Sequence, residues 1–340
     1  MHGNGKVYRK EKGEMGMKKR MAAGVAALLT GVLACGMTSS AQETVRVGAL
    51  KGPTSMGIVS LGTGEQTDEN ANAYEKNMVT AADELTAMVI GGDVDIALLP
   101  ANVASVLYNK TEGGVKVIDI NTLGVLYVVE TGDSVTSIED LKGRTVYLTG
   151  KGTTPDFVLQ YLLAQHGLTT EDVTLEYKSE ATEVVSVLTE DDTAIGLLPQ
   201  PFVTVAGMQN ENLKTVLDLT AEWEAVQEEG GSSLVTGVTI VRTEYLEEHE
   251  EQVKNFLSDY EASAAFTNEN PEAASELIAE LGIVPKAQIA EKAIPFCNIT
   301  FIDGEEMKEA LGGYLEVLHG MEPASVGGAL PGEDFYYMAE

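Results

Sequence analysis

Cysteine is almost absent. Two residues in 340, Cys35 and Cys297, are too few for a disulfide framework or for a cysteine-built zinc or iron–sulfur site. Four scattered histidines, His2, His166, His249 and His319, show no ligand spacing, so neither a metal nor a cofactor is expected. Aromatic residues make up only 6% of the chain, with Trp223 the one tryptophan, which argues against a stacking platform for nucleic acid. Glycine and proline form no periodic repeat, and that excludes a collagen-like or proline-rich fibre. Positive charge is scarce as well: 22 basic residues stand against 53 acidic ones, a net charge of -31. Such a surface repels nucleic acid and anionic lipid headgroups at long range, and its plain consequence is solubility. Enzyme signatures are missing: there is no G-x-S-x-G and no H-E-x-x-H. Gly52 to Gly57 has P-loop spacing, but Ile58 and Val59 stand where Lys and Ser or Thr are required. What is present is an ordinary globular composition, 44% hydrophobic and 22% charged, with chain enough for two domains.

The amino terminus breaks the acidic pattern. Residues 1–34 carry seven basic and two acidic side chains, ending in Lys18, Lys19 and Arg20. The uncharged run from Met21 to Ala34 then reads as a signal-peptide core, shorter than the roughly 20 residues of a spanning helix. Met17, followed by Lys-Lys-Arg, is the better start of such a signal. Val32-Leu33-Ala34-Cys35 resembles a bacterial lipoprotein box with Cys35 as the lipidated residue, although Leu33 stands where a small residue is usual; cleavage after Ala41 is the alternative. Residues 35–43 read as a flexible tether. If Cys35 is lipidated or removed, Cys297 remains alone in the apolar stretch AIPFCNITF, as a small buried hydrophobe.

An internal repeat organises the rest. Val45 to Thr54 (VRVGALKGPT) lies on Thr145 to Thr154 (TVYLTGKGTT), Ile96 to Val103 on Ile195 to Phe202, and Lys116-Val-Ile-Asp-Ile on Lys214-Thr-Val-Leu-Asp-Leu. The offsets are 100, 99 and 98 residues, far too long for a solenoid, so the chain is read as two similar lobes. Each lobe alternates short β-branched runs with helical patterns, the pattern of a mostly parallel sheet flanked by helices. Strands are expected at VRVGAL, Ala73–Val79, VDIALLP and KVIDIN, then at TVYLTG, VTLEYK, TAIGLLP and KTVLDL, and helices near Thr54, over Ala82–Ile90, from Asn102, over Pro155–His166, through Val184–Leu188 and from Gln200. Ser137 to Gly143 is a short helix with a serine cap and a terminal glycine. Four further helices are expected over Tyr245–Asn268, Pro271–Leu281, Pro285–Ala293 and Glu305–His319. Two apolar strands, Gly124–Glu130 and Leu234–Arg242, bracket the second repeat. Placing both in the first lobe gives residues 44–132 and 232–340 to lobe one and 133–231 to lobe two, with two crossings that make a hinge. Gly124 and Gly237 are the hinge candidates, each with the alternative of a packing glycine.

The loop KGPTSMG, the segment GGDVDIALLPANVASVLYN, LGVLYVVE, SIEDLKGRTVYLTGKGTTPDFVLQYLL, LLPQPFVTVA, LDLTAEW and the tail NITFIDGEEMKEAL together resemble extracellular solute-binding proteins of ABC importers. The resemblance is to the aliphatic-sulfonate, nitrate and thiamine-precursor branch with the type II periplasmic-binding-protein fold. It implies a cleft between two lobes that closes on a small solute and presents it to membrane permease subunits. An exported monomer on the outer face of the cytoplasmic membrane, or in a periplasm, is the expected form. Because the same fold carries enzymes of vitamin pathways and ligand-sensing modules, those remain the alternatives.

Ligands of open parallel sheets bind beyond the carboxyl ends of strands, where loops enter helices. Both copies of the repeat place short polar side chains there: Thr54 and Ser55, Thr153 and Thr154, Asn102 and Gln200. These six are the expected polar contacts, each with helix capping as its alternative role. Met56 and Phe202 are candidate apolar walls or core residues, and Glu180 is the candidate acidic contact or a surface residue. Lys51 and Lys151 hold matching positions, yet so few cations weaken a sulfonate or nitrate reading.

Overall fold

The computed structural model describes residues 44–62, 72–227 and 232–338. The chain begins with strands β1 (Thr44–Leu50) and β2 (Ala73–Val79), helix α1 (Ala82–Gly91), strand β3 (Ile96–Pro100), helix α2 (Ala101–Lys110) and strand β4 (Val115–Leu123). Strand β5 (Leu126–Glu130) follows after two residues, and then β6 (Thr145–Thr149), α3 (Thr154–Gln165), β7 (Thr174–Lys178), α4 (Ala181–Glu190), β8 (Ile195–Pro199), α5 (Phe202–Gln209), β9 (Lys214–Asp218) and α6 (Leu219–Ala225). The last part holds β10 (Val235–Arg242), α7 (Thr243–Glu248), α8 (Glu250–Glu269), α9 (Pro271–Glu280), α10 (Ala287–Ala293), β11 (Ile299–Ile302) and α11 (Gly304–Met321).

The described strands form two sheets, ordered β11-β4-β10-β3-β1-β2 and β7-β6-β8-β5-β9. Beyond the extra strand β11, the orders match strand for strand: β4-β10-β3-β1-β2 corresponds to β9-β5-β8-β6-β7. The repeat seen in the sequence is therefore a repeat of topology. Both sheets are mixed. Each has a parallel half, β2-β1-β3 and β7-β6-β8, and each receives one reversed strand, β10 or β5.

That reversed strand corrects one expectation. GVLYVVE does not join the first lobe: β5 pairs antiparallel with β8 and β9, from Leu126 opposite Pro199 to Glu130 opposite Lys214. The first crossing thus falls at Gly124-Val125 rather than after residue 132. The physical reason is that a run of five buried residues needs partners on both sides, and β5 finds them between β8 and β9 of the second sheet. Gly237 lies inside β10, within the bracketing strand where it was expected, paired with both Pro100 and Thr122. A side chain there would sit 2.4 Å from Asn121 Oδ1 and 2.5 Å from the Thr54 methyl, so its smallness serves close packing.

Three apolar clusters hold the layers. One runs continuously from α1, α2 and α11 through Leu126, Val128, Leu219 and Trp223 into α3. A second packs β1, β3 and the 3-10 turn Pro53–Ile58 on α8 and α9, and a third lies under α4 and α5. The helix expected over Tyr245–Asn268 is broken at His249, whose non-helical backbone separates α7 from α8. Ser137 caps its short helix as the sequence indicated, in a capping box with Asp140. No helix among the described residues is long and apolar enough to cross a membrane.

Candidate functional site

Strand direction locates the site. With β10 reversed between β3 and β4, strands β1, β2, β3 and β4 all run the same way and end on one edge of the first sheet. The chain leaves that edge at Leu123 and enters β5 at Leu126. Because β5 opposes β8 and β9, and β6 and β7 are parallel to β8, strands β6 to β9 all end at the edge where β5 begins. The carboxyl-terminal edges of the two sheets therefore meet at the crossing. The return is built alike: β9 leads through α6 to the start of β10 on the same edge of the first sheet. Helices α1 and α2 and the turn at Pro53 open from one edge, and α3, α4, α5 and α6 from the other. This is the arrangement in which backbone N–H groups and loop side chains line a cleft.

The crossings are closely packed. At Gly124 a Cβ would lie 2.1 Å from Thr220 Oγ1 and 2.8 Å from Leu234. Asn298, with a left-handed backbone (φ 43°), donates its side-chain amide to the Gly124 carbonyl at 2.5 Å and accepts from the Leu123 N–H at 3.1 Å. From the second lobe, the Tyr127 hydroxyl donates to the Phe296 carbonyl at 2.9 Å. Gln200 N–H, at the end of β8, donates to the Val125 carbonyl at 3.0 Å, which ties the second lobe's strand ends to the crossing itself.

On the first lobe, Thr54 is buried beside Gly237, and Ser55, fully buried, donates its hydroxyl to the Gly52 carbonyl at 3.0 Å. Asn102, at the start of α2, donates to the Ser325 carbonyl at 3.2 Å. Met56 belongs to the second core cluster with no exposed surface, so it forms core rather than cleft wall: the 3-10 turn points it at α8. On the second lobe, Thr153 is exposed and donates to the Gly150 carbonyl at 2.6 Å, while half-buried Thr154 opens α3. Gln200 is buried, its Oε1 accepting from the Thr204 hydroxyl at 2.9 Å and its N–H at 3.4 Å. Phe202, half-buried, packs against the third cluster, and exposed Glu180 is the N-cap residue of α4. Lys51 is turned toward Gly282, and the Lys151 ammonium lies over the Tyr177 ring, 5.2 Å from its centre.

Three residues near these edges, Asp156, Tyr314 and Thr220, escaped the sequence reading. Asp156, in the first turn of α3 and only 3% exposed, accepts from Gly152 N–H at 2.7 Å, Tyr177 hydroxyl at 2.7 Å and Gln160 at 2.5 Å, and so fixes the Gly150–Thr154 loop. Tyr314 of α11 reaches across from the first lobe to lie beside Thr154, fully buried and without a hydrogen bond of normal geometry. Trp223 packs between Tyr161 and Tyr314 with tilted rings, their centres 4.5 and 5.7 Å away, and donates to the Ser232 carbonyl at 3.0 Å. It is core. Thr220 opens α6 with its hydroxyl buried and unpaired. An aspartate one turn into a helix after a Gly-x-Thr-Thr loop is the one of these with a sequence signal.

Within the first sheet, Asp119 of β4 is wholly buried and accepts from the Thr239 hydroxyl at 2.9 Å; Thr239 in turn accepts from Asn121 at 3.2 Å. Burial pushes the Asp119 carboxyl up to about 8, against the smaller downward pull of Thr239. Cys297 is likewise buried, its thiol pushed up to about 12 by desolvation, which leaves it inert as a nucleophile. No group of His, Cys, Asp and Glu among the described residues could hold a metal ion.

At the opposite edge of the first sheet, Arg46 and Arg242 flank buried Asp95. Burial pushes the Asp95 carboxyl up, but hydrogen bonds and charge from Arg46 outweigh that and hold it below the usual range.

A family model described as NMT1/THI5 like matches residues 79–274, more than half of the chain. An ABC transporter protein from Parabacteroides distasonis is 24% identical and superposes with a TM-score of 0.74, covering 88% of this chain and 100% of the other. The periplasmic aliphatic sulphonate binding protein SsuA from Escherichia coli is 14% identical, with a TM-score of 0.69, covering 88% of this chain and 93% of the other. At this identity the two likenesses establish the fold, a two-lobed periplasmic-binding-protein architecture. A Brucella abortus protein named only as a binding protein is 25% identical over 187 residues, 55% of this chain and 56% of its own length. The match thus spans little more than half of that relative.

Proposed function

The chain belongs to the NMT1/THI5-like family, and from that premise we propose that it is the solute-binding component of an ABC importer. It captures a small organic solute between its lobes and delivers it to a permease, without chemistry. The observation that carries this reading is the meeting of the two strand-end edges where the chain passes from β4 to β5, with helices opening toward the gap from both sides. Thr54, Ser55 and Asn102 on the first lobe and Thr153, Thr154, Glu180, Gln200 and Phe202 on the second stand at those edges. The polar groups of Ser55, Asn102, Thr153 and Gln200 reach a solute only by giving up, or sharing, the local bonds they now make. The solute stabilises whichever lobe arrangement it binds better, and a closed arrangement is the form offered to the permease.

Thermal melting of the purified protein against vitamin precursors, sulfonates, amino acids and carboxylates tests the reading. A compound that raises the melting point saturably and is recovered unchanged supports it; recovery of an altered compound makes the protein an enzyme.

The anchor is part of the same proposal. Cys35 and residues 1–43 lie outside the described residues, and the lipoprotein box is supported by its sequence alone. Radiolabelled palmitate is expected to enter the wild-type chain and not a Cys35→Ser variant; equal labelling removes the lipid from the account.

A further inference from the structure

Asp119 is a wholly buried carboxyl to which the capture of a solute assigns no part. It lies on β4 opposite Thr239 of β10, whose hydroxyl donates to Asp119 Oδ1 at 2.9 Å. A hydroxyl has one proton, so the 3.2 Å contact of Thr239 with Asn121 is made by the amide N–H of Asn121. Asn121 Oδ1 is thereby turned away from Thr239. Two acceptors are left over: Asp119 Oδ2 and Asn121 Oδ1 are both sealed from solvent, and neither has a hydrogen-bond partner. Ionising the carboxyl would place an unsolvated charge beside a second acceptor that also lacks a donor. A proton on Asp119 Oδ2 makes the carboxyl itself the missing donor.

Asn121 in turn reaches the cleft edge. The β4–β10 ladder shifts register between Val238, opposite Ile120, and Gly237, opposite Thr122, which makes Asn121 the extra residue of a bulge. A bulge re-aims the side chain it carries. Asn121 Oδ1 lies 2.4 Å, and the Thr54 methyl 2.5 Å, from the point where a Cβ of Gly237 would stand, so the amide and Thr54 flank one glycine. The Asn121 carbonyl is 3.4 Å from the Tyr260 hydroxyl, which also faces the Thr300 carbonyl at 3.3 Å and closes on Gly57. Asn121 therefore meets the 3-10 turn Pro53–Ile58 twice, beside Thr54 and through Tyr260 at Gly57. The titratable groups facing Asp119 are Tyr260 from α8 and Asp303 from the loop ahead of α11. From β10 it meets Thr239, and neither β11 nor the turn has an ionisable side chain.

We infer that Asp119 is a positioning residue for the solute site: as a neutral carboxylic acid it holds Asn121 against Gly237 and Thr54, and its ionisation loosens the turn that carries Thr54 and Ser55. The first lobe's cleft edge is thus set by a proton stored inside the sheet. Calling this turn a cleft edge rests on the solute-binding reading; the coupling of the turn to the proton does not. Ionisation leaves Asn121 Oδ1 with no donor and a like-charged neighbour, and the amide can then relax only toward Thr54 and the turn above it.

Hydrogen exchange of the full-length protein, read by mass spectrometry and corrected for the intrinsic pH dependence of amides, tests the coupling. It is run at about pH 6 and about pH 9.5, either side of the value of about 8 to which burial raises Asp119. Amides over residues 50–58 are expected to exchange about tenfold faster at the higher pH in the wild type. No such change is expected in Asp119→Asn, whose amide keeps a donor at every pH, and residues 145–165 of the second lobe are expected to behave alike in both proteins. Equal acceleration in the variant, or acceleration spread over both lobes, overturns the coupling. Infrared difference spectra of the wild type between the same two pH values need no variant: loss of a carboxylic-acid C=O band is expected, and absence of that band overturns the neutral acid. Thermal melting with the small-molecule filtrate of yeast extract separates this inference from the reading it borrows. Stabilisation that shrinks at the higher pH in the wild type and not in Asp119→Asn is expected. Stabilisation with the same pH profile in both proteins overturns the positioning role and leaves solute binding intact, whereas a filtrate without effect beside a pH-dependent turn counts against solute binding and leaves the coupling intact.

Discussion

Asp119 carries the clearest pH dependence of any single residue here. At the acid end, below the ordinary aspartate value of 3.8, the carboxyl is protonated both folded and unfolded. Between about pH 4 and about pH 8 the unfolded chain releases a proton that the folded chain keeps, so the raised value makes stability fall as pH rises through that window. Asp119→Asn keeps an acceptor for Thr239 and has no proton to lose. Urea unfolding is expected to give the variant near wild-type stability at acid pH and a clear advantage above pH 8, with Tyr260 and Asp303, the titratable groups that face Asp119, unchanged in both proteins. Parallel pH profiles would remove Asp119 as the cause. Gly124 is a second point of sensitivity. Gly124→Ala must displace the Thr220 hydroxyl and Leu234, and a loss of about 1–3 kcal/mol in the same assay is expected. The sequence marked Gly124 because it opens one of the two apolar strands that bracket the second repeat. It could not show what filled the space, since Thr220 and Leu234 lie 96 and 110 residues further along the chain.

Individual elements were legible wherever hydrophobic periodicity and turn chemistry agreed. The strand predicted at Ala73–Val79 and the helix predicted over Ala82–Ile90 match β2 and α1 to within a residue. The helix predicted through His249 failed for a local reason: EYLEEHEEQ is helical by propensity, but α7 packs on β10 while α8 crosses the 3-10 turn, and the chain must bend between them. Membership of β5 failed for a longer-range reason. An apolar run of five residues fits the interior of either sheet, and only the open position between β8 and β9 decides. At α3, the element depends on one carboxylate. Asp156→Ala leaves Gly152 N–H, Gln160 and Tyr177 without their acceptor, and a loss of about 1–3 kcal/mol is expected, with faster amide exchange confined to the Gly150–Thr154 loop. Exchange that spreads evenly over the second lobe would instead make Asp156 a general core residue.

At the scale of the whole molecule, the two lobes are joined by a packed crossing rather than a loose linker. Tyr127 and Phe296, Asn298 and Gly124, and Tyr314 beside Thr154 all connect the lobes. If solute binding closes the lobes, X-ray scattering is expected to show a smaller radius of gyration at saturation with a stabilising solute. Tyr127→Phe, which removes one connection worth about 1 kcal/mol, is expected to alter the fraction closed without solute. An unchanged radius on saturation would separate binding from closure. The sequence by itself determined the two-lobed repeat, the alternation of strands and helices, the acidic character and the positions of the strand ends, because each is written in local periodicity or in direct internal similarity. Tertiary structure alone decided which sheet receives β5, that the strand-end edges meet, that Met56 turns into the core and that Asp156 and Tyr314 stand at the cleft. Those outcomes depend on which distant segments fill a given space, and pairing between residues a hundred positions apart leaves no local pattern to read.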